Sequence, residues 1–211
     1  MLECRKSNTQ GVSMRKPLLA VVLLSLLAMP LLSQDHPRLE VFGGYQYLHL
    51  GSNSNGLANG EGFNGWNASA TVNVTSHFGI EGNFGGAYDT VNSIDYHIYT
   101  YSGGPVVYTE SGRLKPFAHV LFGGVHMSAS AAFTSGPVQS QAGSATISWN
   151  GYSIMAGGGL DVKANRLIAI RLAQFDWVYY NLSDTSFSGI PVPGFSASNN
   201  IRIASGVVIR F

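Results

Sequence analysis

The sequence is short of charged residues and of cysteine. Asp, Glu, Lys and Arg make up 11% of its 211 residues, against roughly a quarter in an ordinary globular domain. The one cysteine, Cys4, precedes the apolar N-terminal segment, so the rest of the chain has no disulfide, thiolate metal site or cysteine nucleophile. The formal net charge is +1, which gives no general electrostatic reason to bind nucleic acid. So few charges argue against an ordinary soluble surface.

The N-terminal segment has the features of a secretory signal peptide. Arg15 and Lys16 precede the apolar run 18–32, and the small residue Ser33 follows it. This run is shorter than the ~20 residues that cross a bilayer as a helix. We therefore predict a signal peptide over residues 1–33, with Met14 as an alternative start, and one mature domain over residues 34–211.

Beyond this leader, apolar and polar residues alternate with period two, which is typical of strands with two different faces. In the clearest run, residues 66–75, the even positions are apolar and the odd positions are polar. Most of the runs have the ~9–11 residues that a tilted transmembrane strand requires. The eight predicted strands cover about residues 38–50, 65–75, 78–88, 95–108, 116–128, 146–163, 166–178 and 200–211.

The connections between these strands alternate in length. Short turns are predicted near residues 76–77, 110–112 and 164–165, and long loops over 51–64, 89–94, 129–145 and 179–199. An even number of strands with short turns at one end and long loops at the other indicates an all-β, eight-stranded antiparallel up-and-down transmembrane β-barrel. A soluble lipocalin-like barrel is the architectural alternative, because alternation does not say which face meets water.

Aromatic residues fall near the strand ends, as expected for the two interfaces of a membrane. Beside the long loops we predict an aromatic girdle of Trp66, Tyr88, Trp149 and Trp177. At the opposite strand ends lie Phe78, Phe117 and Phe211.

The last strand ends in an aromatic residue and has apolar residues at alternate positions. These residues are Ile201, Ile203, Val207, Ile209 and Phe211. This pattern resembles the assembly signal by which the barrel-assembly machinery recognises outer-membrane proteins, so that machinery is an expected partner.

Several glycine-rich stretches carry a wider resemblance. They are Val41–Tyr45, Pro116–Gly124 and Gly157–Asp161, with Arg171 and Asp176. Over about residues 38–211 the chain resembles the bacterial outer-membrane β-barrel family, which includes OmpA-like transmembrane domains and opacity-type porins. The resemblance implies a Gram-negative outer membrane, periplasmic termini, and contact with outer-membrane lipids and lipopolysaccharide. Unlike two-domain OmpA proteins, the chain is expected to lack a peptidoglycan-binding domain.

The lumen of an eight-stranded barrel is just wide enough for side chains to fill it. Closure makes the first and last strands neighbours, so we predict an ion pair between Glu40 and Arg210, and a contact of Arg171 with Asp161. Confined charges must be paired, which favours a structural polar plug over a narrow or gated ion path. Alternation places inside Glu40, Gln46, Asn67, Asn73, Glu81, Asn83, Asp161, Arg171, Arg202 and Arg210.

Candidate catalytic residues are few. His119 and His126 fall on opposite faces of one strand, which argues against joint metal ligation. His126 and Ser128 share a face, and His-x-Ser is reminiscent of the outer-membrane lipid A deacylases. That family has Asn next, where this chain has Ala129, and no nearby acidic residue orients the histidine. We expect no catalytic, cofactor or metal site, and a lipid A-modifying enzyme is the third hypothesis.

Charge is distributed unevenly between the two ends. The long loops have Glu61, Asp89 and Asp184 but no lysine or arginine. The fourth long loop has apolar groups over residues 187–195. It is either a solvated lid or a surface for adhesion or for binding an apolar ligand. We predict a non-enzymatic structural or surface-interaction protein, with porin-like passive transport of small or apolar solutes as the alternative. The predicted periplasmic end has Arg38, Arg113, Lys115, Lys163, Arg166 and Arg210.

Overall fold

The computed structural model describes residues 37–51, 60–135 and 141–211. The predicted signal peptide over residues 1–33 lies outside the described residues. Every regular element within the described ranges is a β-strand. No helix in this part of the chain is long and apolar enough to cross a membrane.

The strands of the described residues are β1 Leu39–His49, β2 Gly62–Asn73, β3 Phe78–Val91, β4 Ile94–Tyr108, β5 Leu114–Ser135, β6 Gln141–Lys163, β7 Ile168–Leu182, β8 Thr185–Phe187, β9 Ile190–Val192 and β10 Ser196–Arg210. Eight of them close into an antiparallel barrel, with the order β1-β10-β7-β6-β5-β4-β3-β2 around it, and β8 and β9 pair as a separate hairpin. The predicted fold class is therefore confirmed.

Alternation along each strand decides which side chains enter the barrel. In β1, Phe42 and Gln46 are buried, whereas Val41 and Tyr45 on the opposite parity are exposed. The barrel closes between β1 and β10. Because the side-chain period of a strand is two, this closure makes one face of every barrel strand a lumen lining.

A β-bulge in β7 changes which residues of that strand face the lumen. The register against β6 jumps from Ala173 to Arg171, which leaves Leu172 as an extra residue. Arg171 is buried before the bulge, and Gln174 and Asp176 are buried after it. A bulge inserts one residue into the alternation, so the odd-numbered Arg171 and the even-numbered Asp176 enter the same lumen.

Two predicted long loops are mostly strand. The prediction of a loop over residues 89–94 was wrong, because β3 and β4 join through Asn92 and Ser93, whose φ angles are 51° and 64°. Two successive left-handed residues form the tight type I′ turn of a hairpin. The loop predicted over 129–145 is likewise mostly β5 and β6. Its alanines, serines and glycines show little contrast between faces, so alternation failed to reveal the strands.

Candidate functional site

The lumen has two parts of different chemistry. Near the short turns, at the turn end, and in the middle of the barrel, buried charged side chains form three layers. Near the long loops, at the loop end, the buried side chains are apolar.

The first charged layer lies at the turn end around Glu40. Lys115 Nζ donates to both carboxylate oxygens of Glu40, at 2.7 and 2.6 Å, and Arg210 Nε donates to Glu40 Oε1 at 3.0 Å. Arg210 Nη2 also donates to Glu110 Oε1 at 2.8 Å, and Lys163 pairs with the other oxygen of Glu110. The structure thus places Glu40 beside Arg210, with Lys115 as a second cation.

The second layer is built on Arg171. Its Nε and Nη2 donate to the two oxygens of Asp161 at 2.8 and 3.1 Å, and its Nη1 donates to Gln174 Oε1 at 2.7 Å. The guanidinium carbon lies 4.4 Å from the ring centroid of Phe42 and 4.2 Å from that of Phe117. A planar guanidinium suits both a bidentate carboxylate and aromatic faces. Phe117 is buried in the lumen, so its predicted placement among the outer aromatic residues was wrong.

The third layer joins four strands near the middle of the barrel. Arg202 Nη2 and Nε lie 2.7 and 2.8 Å from Asp176 Oδ2, and Arg202 Nη1 donates to Asn83 Oδ1 at 3.0 Å. His119 Nε2 lies 2.9 Å from Asp176 Oδ1, and His119 Nδ1 lies 2.9 Å from Glu81 Oε2. With an exposed fraction of 1%, Arg202 is buried in this layer.

Both nitrogens of His119 face a carboxylate oxygen, so each contact requires a proton on the ring or on the carboxyl group. Apart from this histidine, buried positive and negative groups of the described residues are equal in number. Such balance is what a confined, low-dielectric space demands. The four carboxylates are Glu40, Glu81, Asp161 and Asp176, and the four cations are Lys115, Arg171, Arg202 and Arg210.

Sequence reasoning missed Lys115, His119 and Asp176 as members of these layers. One available signal was glycine on the inner face. His119 pairs with Gly157 of β6, which in turn pairs with Asp176 of β7. A Cβ atom on Gly157 would lie 2.2 Å from Asp176 Oδ1, so only glycine leaves the space through which the imidazole and carboxylate meet.

The loop-end part of the lumen is filled by a cluster of buried apolar side chains. Trp149 belongs to it with an exposed fraction of 3%, so its predicted place in the aromatic girdle was wrong. The reason is parity, because Trp149 and Asp161 lie an even number of residues apart on β6 and share the inner face. Its aromatic members are Phe63, Tyr96, Trp149, Tyr180 and Phe195.

The fourth long loop contributes to this cluster from the loop end. The ring of Phe195 meets Trp149 edge-on with centroids 6.2 Å apart, and Val192 packs against the same cluster. Leu182 N donates to Phe195 O at 2.9 Å, and Gly194 N donates to Asp184 Oδ1 at 2.7 Å. These contacts hold the loop against the apolar part of the lumen.

The outer face of the barrel is apolar on every strand. Trp66 and Trp177 face outwards with exposed fractions of 44% and 45%. Tyr88 accepts a hydrogen bond from Trp66 Nε1 at 3.1 Å. The residues of the predicted assembly signal, Ile203, Val207, Ile209 and Phe211, are also exposed. Other exposed residues are Val41, Val72, Ile80, Phe84, Val107, Val120, Phe122, Tyr152, Ile170 and Phe175.

The candidate pair of His126 and Ser128 lies apart from the charged layers, on the strand face opposite to His119. His126 Nδ1 lies 2.8 Å from Asn150 Oδ1, so an amide occupies the position where a deacylase needs an acidic group. In residues 37–51, 60–135 and 141–211, no group of three or more His, Cys, Asp or Glu side chains could hold a metal ion.

Solved structures with similar folds exist. The crystal structure of Ail, the attachment invasion locus protein of Yersinia pestis, matches with a TM-score of 0.52 and 17% sequence identity, over 83% of this chain and 99% of Ail. The chain has the fold of a small outer-membrane β-barrel. Neisserial surface protein A matches with a TM-score of 0.54 and 9% identity, over 84% of this chain and 100% of that protein.

Ail has also been crystallised in complex with the heparin analogue sucrose octasulfate, and this structure matches with a TM-score of 0.52 and 18% identity, over 83% of this chain and 99% of Ail. No protein-family model and no curated protein sequence matches the chain. At these identities the likeness concerns the fold, which does not by itself determine the function.

Proposed function

We propose that this chain is an integral β-barrel of a bacterial outer membrane, exported by the signal peptide over residues 1–33, with a structural or surface-interaction role and no enzymatic activity. The observation that carries the proposal is the apolar outer face, which includes all eight barrel strands. Soluble monomers rarely expose apolar patches larger than a few hundred Å², whereas a membrane barrel needs a continuous apolar band. A lipocalin-like soluble barrel would need polar residues at these positions.

In the proposed orientation, the turn end and both termini face the periplasm and the long loops face outwards. Short periplasmic turns and longer extracellular loops are usual for such barrels. Trp66, Tyr88 and Trp177 then lie towards the outer interface, where aromatic side chains are favoured. Phe211 and the alternate residues before it would be read by the barrel-assembly machinery, and outer-membrane lipids and lipopolysaccharide would surround the outer face.

We further propose that the lumen is sealed. Three layers of paired charges and a packed apolar cluster occupy the lumen of the described barrel, and this packing supports the proposed seal. Planar-bilayer recordings of the purified protein should therefore show no steady conductance. A steady current that changes in Arg171→Ala would contradict the seal and would favour porin-like transport.

The interaction surface is proposed at the loop end. There, Ile190 is exposed at the tip of the β8–β9 hairpin, and the sequence places no lysine or arginine in any long loop. Recognition of a sulfated polyanion, as by Ail, would need cations, which these long loops do not contain. Deletion of residues 186–191 tests this surface. The deletion stops before Phe195, because Phe195 packs in the lumen. Unchanged cell adhesion and apolar-ligand binding after this deletion would identify the loop as a lid.

Heat-modifiable gel migration and cell fractionation test the main proposal. The folded protein should require detergent for extraction, sediment with the outer membrane, and migrate differently before and after boiling. Recovery of a folded, detergent-free protein in the periplasmic fraction would instead identify a soluble barrel. Lipid A compared by mass spectrometry with and without the protein should be identical, and a loss of acyl chains would restore the enzyme hypothesis.

A further inference from the structure

A repeated pair of residues occurs at the turn end. At or just before the first residue of β1, β3, β5 and β7, a basic residue is followed directly by a large apolar one. The basic member is exposed in all four cases, and Phe78, Leu114 and Leu167 are exposed as well. We call these pairs the turn-end collar, and they are Arg38-Leu39, His77-Phe78, Arg113-Leu114 and Arg166-Leu167.

The three arginines of the collar differ from the other cations of the described chain. Arg38, Arg113 and Arg166 form no ion pair with any described residue. Every other lysine and arginine of the described residues, namely Lys115, Lys163, Arg171, Arg202 and Arg210, is ion-paired. The collar guanidinium groups are therefore not needed to balance charge inside the barrel.

Backbone atoms, not side chains, attach two of these arginines to the fold. Arg38 N donates to Phe211 O at 2.8 Å, and Asn73 N donates to Arg38 O at 2.8 Å. Lys163 N donates to Arg113 O at 2.8 Å. Substitution of the side chains should leave these bonds intact, so the collar can be tested without unfolding the barrel.

The chemistry of the collar fits a phospholipid headgroup. Each arginine is exposed at the turn end and directly precedes an apolar residue, and a long basic side chain beside a membrane can extend to the headgroups. Guanidinium groups bind phosphate oxygens in bidentate fashion, and basic residues beside a membrane are attracted to anionic lipids. The opposite interface lacks such groups, because no lysine or arginine occurs in the long loops.

We propose that the turn-end collar binds the phosphate groups of anionic phospholipids in the leaflet on the turn side. This inference rests on the proposed integration into a membrane and names the lipid class for one leaflet. The collar gives the barrel a chemical polarity along the membrane normal, with cationic headgroup contacts at the turn end and aromatic contacts at the loop end. An anionic turn-side leaflet would thereby hold the barrel at a defined depth.

Spin-labelled lipids measure this selectivity directly. The full-length mature protein is reconstituted in phosphatidylcholine vesicles that contain trace spin-labelled phosphatidylglycerol or phosphatidylcholine. The motionally restricted fraction of each label gives a relative association constant. For the wild type we expect a constant clearly above one for phosphatidylglycerol. Each arginine removed should lower this constant, because one cationic contact with the headgroups is lost, and the constant of R38Q/R113Q/R166Q should approach one.

Two control variants separate a local site from general charge. R38K/R113K/R166K keeps the positive charge and should keep most of the selectivity. The triple glutamine variant with S144R/S183R/S186R added regains three positive charges at the loop end, and it should not regain selectivity for label confined to the turn-side leaflet. High salt should reduce the wild-type selectivity, because it screens exposed charges.

The outcomes of the two proposals differ. If the wild type restricts no lipid label in any vesicle, the barrel is not integrated and the proposed function fails. If it restricts phosphatidylcholine and phosphatidylglycerol equally, or if the triple glutamine variant keeps full selectivity, the barrel is a membrane protein but the collar inference is overturned.

Discussion

His119 and Asp176 meet inside the barrel across Gly157, with Nε2 of the imidazole 2.9 Å from Oδ1 of the carboxylate. The two residues belong to β5 and β7, which are separated by β6. Their contact therefore depends on a residue of β6 that has no side chain. The same carboxylate also binds Arg202 of β10. The contact that Gly157 permits therefore connects β5 to both β7 and β10.

Gly157→Ala should destabilise the barrel. A Cβ at this position would lie 2.2 Å from both Asp176 Oδ1 and Phe175 O, and overpacking of a filled interior costs about 1–3 kcal/mol. Urea unfolding in lipid vesicles measures the free energy of unfolding. Gly43→Ala is the matched control, because a Cβ there would meet nothing within 4 Å. If Gly157→Ala and Gly43→Ala lower the free energy of unfolding equally, the proposed role of Gly157 is contradicted.

The Asp161–Arg171 pair should show strong coupling. Arg171→Leu leaves a buried carboxylate without its cation, and Asp161→Leu leaves a buried cation without its carboxylate. Breaking a buried pair on one side costs about 3–5 kcal/mol, whereas removing both charges is much less harmful. The double variant should therefore unfold at a higher urea concentration than either single variant. If the loss of unfolding free energy in the double variant equals the sum of the losses in the single variants, the two charges do not depend on each other.

The three tryptophans should respond differently to lipid. Trp66 and Trp177 face outwards, whereas Trp149 has an exposed fraction of 3% inside the lumen. Variants that keep a single tryptophan, with phenylalanine at the other two positions, can be reconstituted in vesicles of brominated lipid. Fluorescence of Trp66 and Trp177 should be quenched strongly and that of Trp149 weakly. Strong quenching of Trp149 would show that this side chain contacts lipid, as the sequence predicted.

Glu110, in the turn between β4 and β5, should make stability dependent on acid pH. Burial raises the pKa of its carboxyl group, but the hydrogen bond and charge of Lys163 and the charge of Arg210 outweigh this effect and leave the pKa below 4.5. A carboxyl group with a lowered folded-state pKa stabilises the fold above the unfolded pKa, and this contribution disappears as pH falls through the folded value.

The free energy of unfolding of the wild type should thus fall more steeply below pH 4.5 than that of Glu110→Gln. Lys163→Met removes the principal cause of the lowered pKa and should flatten the same part of the curve. Parallel curves for the wild type and Glu110→Gln would show that Glu110 does not contribute to the acid transition.

Local patterns in the sequence were enough to predict the barrel architecture. Alternation with period two depends only on neighbouring residues, so it predicted eight barrel strands and the inward orientation of Glu40, Arg171, Arg202 and Arg210. It also implied the neighbourhood of Glu40 and Arg210, because closure pairs the first strand with the last. Where small residues occupy both faces, as in the outer parts of β5 and β6, the same pattern failed.

The partners within the lumen were decided by tertiary structure. Extra residue Leu172 shifts the alternation of β7 and turns Asp176 inwards, and nothing in the local sequence marks that bulge. Contacts such as His119 with Glu81 join strands that are not neighbours, and they depend on the register of all the strands between them. The sequence by itself determined that the barrel has a charged interior and an apolar exterior, whereas closure of the barrel decided which charges meet.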